Sequence, residues 1–280
     1  MSCTTDFKAI KNSFVFYKRV TEQYREQTIL KSIKELIPEK IIANNPRNDM
    51  DKLLLVSSLL CWFKNGFMNW MPKEIKCDNC SNKIRNNTCF VDNADNDKRN
   101  PSLFMQSNVL MNNDNSWKLR KVEVHSCASC DDMHIFPRYG EVLRISETRT
   151  GRCSEWSILF GAILNSVSLP ARIVHDYLDH CWNEVLLDGR WIHLDSTLQY
   201  PISLNHPHYY EQNWKKQYLY VLAFDATKVE DVTEKYTERW DSILIRRSRV
   251  VTDDVHRHKQ EQEIASATPI VDFQNFYSKI

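Results

Sequence analysis

Residues 180–196 read HCWNEVLLDGRWIHLDS, two strand-like runs on either side of Asp188-Gly189. Asp-Gly is a favoured two-residue type I′ hairpin turn, because both positions need positive φ and these residues tolerate it. The turn sets the register: Leu187 faces Arg190, Trp182 faces Asp195 and His180 faces Thr197. His180 and Asp195 then share one face as diagonal neighbours about 7–8 Å apart, close enough for a carboxylate to reach an imidazole. His193 shares that face nearer the turn, opposite Glu184, so the register favours His180 without eliminating His193. His175 precedes the hairpin and is not placed by counting.

Upstream, residues 151–156 read GRCSEW and open a segment in which Trp156, Leu159, Phe160, Ile163, Leu164 and Val167 fall at helical spacing before Pro170. Cys153 sits at the start of that expected helix, where free amides and the helix dipole lower a thiol pKa and favour the reactive thiolate. Gly151 allows a tight approach to it. An isolated cysteine is more often a buried core residue. A thiol at a helix start, with a His and an Asp on one hairpin face, has the composition of a Cys-His-Asp nucleophilic triad in which the carboxylate orients the base.

Of the nine cysteines, four form Cys77-x-x-Cys80 and Cys127-x-x-Cys130. Two such knuckles supply the sulfur ligands of a closed tetrahedral zinc site. With every position filled by protein, the expected role is structural. Cys3, Cys61, Cys89 and Cys181 receive no role.

The 280-residue chain carries 37 Lys plus Arg against 36 Asp plus Glu and is 42% hydrophobic. Balanced charge disfavours a dedicated nucleic-acid clamp, and the apolar content indicates a globular chain. The N-terminus lacks a signal-peptide apolar core, and the run from Leu53 to Phe63 is too short to span a bilayer. The expectation is a soluble intracellular protein with reduced cysteines. Residues 7–39 read as one or two amphipathic helices. Asp51 is expected to cap another, in which Val56, Leu59, Leu60, Phe63, Phe67 and Trp70 recur until Pro72. The stretch from Cys80 to Trp117 reads as a long loop, residues 117–124 as a strand, 171–177 and 217–224 as further strands, and the tail beyond Trp240 as polar and helix-permissive. The fold class is α+β.

These motifs resemble the cytosolic peptide:N-glycanase family of the transglutaminase-like superfamily. GRCSEW at 151–156 is similar to the family's nucleophile motif, DHCWNE at 179–184 to its histidine motif and WIHLD at 191–195 to its aspartate motif. CWFKNGFMNW at 61–70, FPRY at 136–139, WKKQYLYVLAFD at 214–225 and DVT at 231–233 resemble it in the same order. The resemblance implies a transglutaminase-like (papain-like) cysteine hydrolase core over 51–240 with an inserted four-cysteine zinc-binding module at 71–135. Flanking it would be an N-terminal amphipathic helical extension, 1–50, and a polar C-terminal extension, 241–280, the compact fungal form rather than the longer animal one.

Position by position, the resemblance makes Cys153 the nucleophile, His180 rather than His193 the base, and Asp195 its orienting partner. Cys77, Cys80, Cys127 and Cys130 match ligands of a structural Zn2+, and Trp70 and Trp182 match aromatics lining the substrate cleft. The implied activity is hydrolysis of the N-acetylglucosamine–asparagine amide of misfolded N-glycoproteins, in the cytoplasm and also the nucleus. A proteasome shuttle protein with a ubiquitin-like domain is the implied partner, with the helices of residues 7–39 as a docking surface. The rival readings are a transglutaminase or cysteine protease, and a non-catalytic binding module of protein quality control or DNA repair. The chain departs from the family at Ser154, where a second Gly is usual, and at Thr197-Leu198, where Cys-Glu is usual. Losing that Glu affects a sugar contact and leaves the three triad positions filled.

Overall fold

The computed structural model describes residues 7–43, 46–72, 75–84, 88–92, 119–130 and 132–258. From the N-terminus, α1 (Phe7–Glu22), a 3-10 turn and α2 (Gln27–Lys34) follow the amphipathic spacing of residues 7–39, and the short α3 (Glu39–Ile42) comes after Pro38. The cap of α4 (Asp49–Trp62) is Asn48, whose side chain accepts from the Asp51 N–H at 2.9 Å. Asp51, expected as the cap, lies inside the first turn, and its carboxylate accepts from the Arg47 N–H at 2.9 Å. Beyond Trp62 the backbone passes through a π-turn, Phe63–Phe67, and Trp70 falls on the two-residue strand β1 (Asn69–Trp70) rather than on the helix. Asn65-Gly66 is a weak point for helix propagation, Gly costing about 1 kcal/mol relative to Ala.

The hairpin of β2 (Ile75–Lys76) and β3 (Lys83–Ile84) surrounds the first knuckle. A second, three-stranded sheet contains β4 (Thr88–Asp92), β5 (Leu119–Ser126) and β6 (Met133–Tyr139), with the second knuckle between the last two. Thr88–Asp92 thus turns part of the expected long loop into a strand, paired from Thr88 opposite His125 to Asp92 opposite Lys121. Residues 93–118, the bulk of that expected loop, lie outside the described residues.

Next come α5 (Val142–Thr148), β7 (Thr150–Gly151) and α6 (Cys153–Ser166). The main sheet holds β8 (Ala171–His175), β9 (Cys181–Leu187), β10 (Arg190–Leu194), β11 (Leu222–Phe224) and β12 (Val229–Asp231), in the order β10-β9-β8-β11-β12 with every pairing antiparallel. Between β10 and β11 lies α7 (Tyr209–Asn213), and the tail carries α8 (Trp240–His258). The strand expected at 217–224 shortens to its last three residues, preceded by buried, non-strand Tyr218 to Val221. Residues 6–238 form one compact unit, and α8 belongs to a second that begins at Arg239. Among the described residues no helix is long and apolar enough to cross a membrane.

The β9–β10 hairpin has the counted register, Arg190 opposite Leu187 and Leu194 opposite Asn183. Asp188 and Gly189 have φ of 45° and 69°, the left-handed values a type I′ turn requires. On one face of the main sheet lie α1 and α6. Tyr17 stacks at 4.7 Å on Phe224, and Asn183 Nδ2 donates to the Ser157 carbonyl at 2.9 Å. Tyr17, Val20 and Ile33 are fully buried, so the expected N-terminal extension spends its apolar faces inside the 6–238 unit.

Helix α6 is apolar on all sides and is buried on nearly all of them, the pattern of a central helix. Leu159, Phe160, Ile163 and Leu164 are inaccessible to solvent. Each such side chain contributes about 1.5–3 kcal/mol on burial. Gly161 is what lets Tyr24 approach, because a Cβ there would stand 2.6 Å from the Tyr24 hydroxyl, which donates to Ile158 O at 2.8 Å. Gly161→Ala is therefore expected to destabilise the protein by about 1–3 kcal/mol through overpacking. Thermal unfolding beside Gly66→Ala, whose added Cβ meets nothing within 4 Å, provides the check.

Candidate active site and metal centre

Cys153 is the first residue of α6, directly after Arg152. The Arg152 N–H donates to Glu155 Oε2 at 3.0 Å, a carboxylate cap on the helix start. Gly151 is needed for close approach, since a Cβ there would meet Glu155 Cβ at 2.4 Å. A parallel ladder of Asn69 with Thr150 and Trp70 with Gly151 pins β1 beside this turn. Trp70 consequently sits near Cys153 with 41% of its surface exposed.

Arg138, from β6, reaches under the same turn. It grips Glu155 through two bonds of 2.8 Å, donates to Ser154 Oγ at 2.7 Å and binds Glu123 of β5. Arg152 also holds Glu123, at 2.7–3.0 Å. Burial alone would raise the Glu123 pKa, but hydrogen bonding and charge from Arg152 and Arg138 lower it. Arg138 likewise stays ionised against burial, its pKa raised by Glu155 and Glu123.

His180 enters from the turn before β9. The buried Asp176 carboxylate organises that turn, with Oδ1 accepting from the backbone N–H groups of Leu178, Asp179 and His180 at 2.9–3.1 Å. Burial raises the Asp176 pKa, but the charge and hydrogen bond of Lys216, which pairs with Asp176 and Asp179, lower it below the ordinary value. His180 Nε2 donates to Asp195 Oδ2 at 2.7 Å. Asp195 is fully buried and saturated with donors: Oδ2 also accepts from Tyr210 Oη at 2.8 Å, and Oδ1 accepts from the Thr197 N–H at 2.8 Å and hydroxyl at 2.7 Å. Cys153 Sγ lies 3.5 Å from the Asp179 carbonyl oxygen, next to His180 in the chain, and the His180 charge acts on the thiol. The structure thus brings Cys153, His180 and Asp195 together. His193 lies elsewhere in the network, its Nε2 2.8 Å from Tyr210 Oη, and burial lowers its pKa to about 3.

The electrostatics favour a charge-separated pair. A hydrogen bond from Cys181 is the largest influence on Cys153; burial opposes it, and His180 adds a hydrogen bond and charge, leaving the thiol pKa well below its usual value. Burial works against an imidazolium at His180, but Asp195 reverses this by charge and hydrogen bond, with Cys153 adding, and raises the pKa to about 10. For Asp195, burial is outweighed by His180 and Thr197, giving about 2. His180 therefore contributes stability that is full below an unfolded imidazole's pKa of about 6.5 and is lost as pH rises through about 10. The Asp195 contribution is present above about pH 4 and is lost as pH falls through about 2.

The two tryptophans expected in a cleft part company. Trp182, only 1% exposed, is stacked 4.7 Å from Tyr210 beneath His180, so it is a core residue and not a cleft wall. Alternation along β9 turns it to the sheet face covered by Tyr210 and Tyr236. Trp214, by contrast, is 43% exposed with its ring 5.0 Å from His180. It follows a five-residue helix in a segment without periodicity, so spacing offered no signal for it.

In the sulfur cluster, the Sγ atoms of Cys77, Cys80, Cys127 and Cys130 all lie within 4.8 Å of one another, with Cys77–Cys130 and Cys80–Cys127 at 3.5 Å. A tetrahedral zinc with bonds of about 2.3 Å needs sulfurs about 3.8 Å apart, so the donors fit. The Ser81 N–H closes the first knuckle onto Cys77 O at 2.9 Å, and the Cys127 N–H bonds Asp132 O at 2.7 Å in the second. Cys77, Asp132 and His134 form an overlapping group at the same place.

Residues 113–196 match the family model of the Transglutaminase-like superfamily. The chain is similar to proteins named peptide-N(4)-(N-acetyl-beta-glucosaminyl)asparagine amidase. It is 34% identical over 205 residues to that of Macaca fascicularis, covering 72% of this chain and 28% of the relative. The Kluyveromyces lactis protein is 33% identical over 201 residues, 71% of this chain and 51% of that protein. The Caenorhabditis elegans protein is 28% identical over 279 residues, 98% of this chain and 39% of that one. The chain therefore spans between 28% and 51% of the length of these relatives. A chain in the crystal structure of Rad4-Rad23 bound to a 6-4 photoproduct UV lesion aligns with a TM-score of 0.45 and 13% identity, over 84% of this chain and 50% of that one.

Two measurements follow from the geometry. Iodoacetamide should alkylate Cys153 at a rate that stays level well below pH 8, whereas His180→Ala should move the inflection toward that of an ordinary thiol, about 8.5. An inflection that stays in place would show that His180 does not hold the thiolate. Replacing Cys80 and Cys130 by Ser should abolish bound zinc and lower Tm, and a metal-free wild type with unchanged Tm would exclude a structural metal.

Proposed function

Starting from a transglutaminase-like core with consistent homology to peptide-N-glycanases of several species, we propose that this chain is a deglycosylating amidase. It would hydrolyse the amide joining N-acetylglucosamine to asparagine on misfolded N-glycoproteins. The observation that carries the reading is the juxtaposition of Cys153, at a capped helix start, with a His180 held by Asp195 at 2.7 Å.

In this mechanism the Cys153 thiolate attacks the asparagine side-chain carbonyl, and the His180 imidazolium protonates the departing glycosylamine. Water, deprotonated by His180, then cleaves the thioester and leaves aspartate. Asp195 keeps the His180 proton on Nε2, so Nδ1 faces the sulfur and the incoming water. The backbone N–H groups of the first turn of α6 and the Trp70 indole N–H would receive the oxyanion. The exposed faces of Trp70, paired with Gly151 just before Cys153, and of Trp214, 5.0 Å from His180, would contact substrate. Zinc held by Cys77, Cys80, Cys127 and Cys130 would crosslink the two knuckles and leave no ligand position for chemistry.

An extended substrate with its glycan outside the cleft suits unfolded glycoproteins, found in the cytoplasm and the nucleus. A shuttle protein with a ubiquitin-like domain would have to use the outer faces of α1 and α2, where Val15 is exposed, because the inner faces are committed to the core.

Incubation with a denatured N-glycoprotein should release glycan and add about one dalton per site as Asn becomes Asp, and Cys153→Ala should abolish both. Activity retained by that variant would sink the assignment. Peptide cleavage or amine incorporation in place of glycan release would indicate a protease or a transglutaminase.

A further inference from the structure

In the amide hydrolysis described above, Cys181, the buried first residue of β9, does no more than help hold the Cys153 thiolate. The start of β9 and the first turn of α6 run side by side in the same direction. At one end Cys153 Sγ lies 3.5 Å from Asp179 O, and at the other Asn183 Nδ2 donates to Ser157 O at 2.9 Å. Side chains alternate along a strand, so Cys181 faces α6 as Asn183 does, while Trp182 and Glu184 turn to the opposite face. Cys181 therefore meets the helix between those two contacts, and among its neighbours it acts most strongly on the Cys153 thiol. Behind it, Tyr17 Oη of α1 lies 3.2 Å from Cys181 Sγ. The phenol can donate to the Cys181 sulfur while the Cys181 S–H donates to the Cys153 thiolate. Neither cysteine is in a disulfide.

We propose that Cys153 is a site of reversible oxidation by peroxide and that Cys181 is its resolving thiol, the two closing into a disulfide. The proposal rests on the Cys153 nucleophile of the preceding reading but not on its substrate. In the first step the Cys153 thiolate takes one oxygen from hydrogen peroxide, the O–O bond breaks, and hydroxide leaves. Cys153 becomes a sulfenic acid, oxidised by two electrons. In the second, the Cys181 sulfur attacks the sulfenic sulfur, the S–O bond breaks, and the hydroxyl departs with the Cys181 proton as water. A thiolate of low pKa with a neighbouring thiol is the arrangement in which resolution competes with further oxidation. The disulfide blocks attack on any carbonyl and shields Cys153 from the irreversible sulfinic state, and thiol reductants restore it.

The test treats the full chain with hydrogen peroxide, blocks remaining thiols with N-ethylmaleimide, and digests without reductant. Wild type should yield a linked peptide pair containing Cys153 and Cys181, lighter by two hydrogens than the two thiols, which dithiothreitol separates with full recovery of Cys153 alkylation. In Cys181→Ser, which keeps a hydroxyl donor, Cys153 should instead gain two oxygens and no longer recover. Absence of the linked peptide, or equal accumulation of sulfinic Cys153 in wild type and variant, overturns the proposal. These masses require no glycoprotein, so a failed deglycosylation assay with the linked peptide present would refute only the substrate assignment.

Discussion

The guanidinium of Arg138 is the point at which three segments meet in the interior. It binds Glu123 of β5, and Glu155 and Ser154 of the turn that carries Cys153, while Arg152 returns to Glu123 from the other side. Two arginines face two glutamates, so the cluster is electrically neutral, and each buried charge has a hydrogen-bonded partner. Removing one member of such a set typically costs about 3–5 kcal/mol, because the opposite charge is left buried without compensation. The second knuckle sits between β5 and β6, the strands that carry Glu123 and Arg138. One sheet therefore carries half of the sulfur ligands at its end and aims a guanidinium at the helix start from its middle. Order in the metal module and order in the first turn of α6 are mechanically linked through side chains that need no metal to make their bonds.

On the His180 side of the site, two buried carboxylates divide the work of placing the ring. Asp176 accepts from the backbone of the preceding turn and sets where the ring enters; Asp195 accepts from Nε2 and sets how it is rotated. Their partners differ in kind. Asp176 is neutralised by Lys216, a group that remains charged through the physiological range, whereas among the described residues the cation bonded to Asp195 is His180 itself. The charge on His180 is thus tied to Asp195, with Tyr210 and Thr197 completing the solvation of that carboxylate from the interior. This is preorganised electrostatics, with donors fixed before any substrate arrives.

The part of this arrangement legible in the sequence is the part dictated by local rules. Asp188-Gly189 permits few turns, and a two-residue turn leaves one register, so the placement of His180 near Asp195 followed from counting. The two Cys-x-x-Cys pairs were legible for a similar reason, since the knuckle spacing carries the ligand geometry within four residues. What depended on tertiary packing was not legible. Trp182 and Trp214 both lie against His180, yet one is core and the other exposed, and only the position of α7 and Tyr210 decides which. Trp70 continued a helical rhythm on paper, but pairing with Gly151 gives that segment more than a further helical turn would. The faces of α1 and α2 looked available for a partner because amphipathicity does not say whether the apolar stripe meets a partner or the chain's own core.

The residues at which this chain departs from the family it resembles can be read against the same network. Ser154 adds an acceptor for Arg138 at 2.7 Å, so a side chain stands where a glycine would offer the guanidinium nothing. Thr197 supplies both a backbone and a hydroxyl donor to Asp195, which makes it part of what fixes that carboxylate beside His180. Leu198 is different. Its backbone N–H bonds the Asp195 carbonyl at 3.1 Å, and its half-buried side chain gives the carboxylate nothing, nor could a Glu there be replaced in kind by an aliphatic group. The loss therefore leaves the orientation of His180 untouched. In the proposed reaction its loss would bear on how tightly a ligand is held rather than on how the bond is broken.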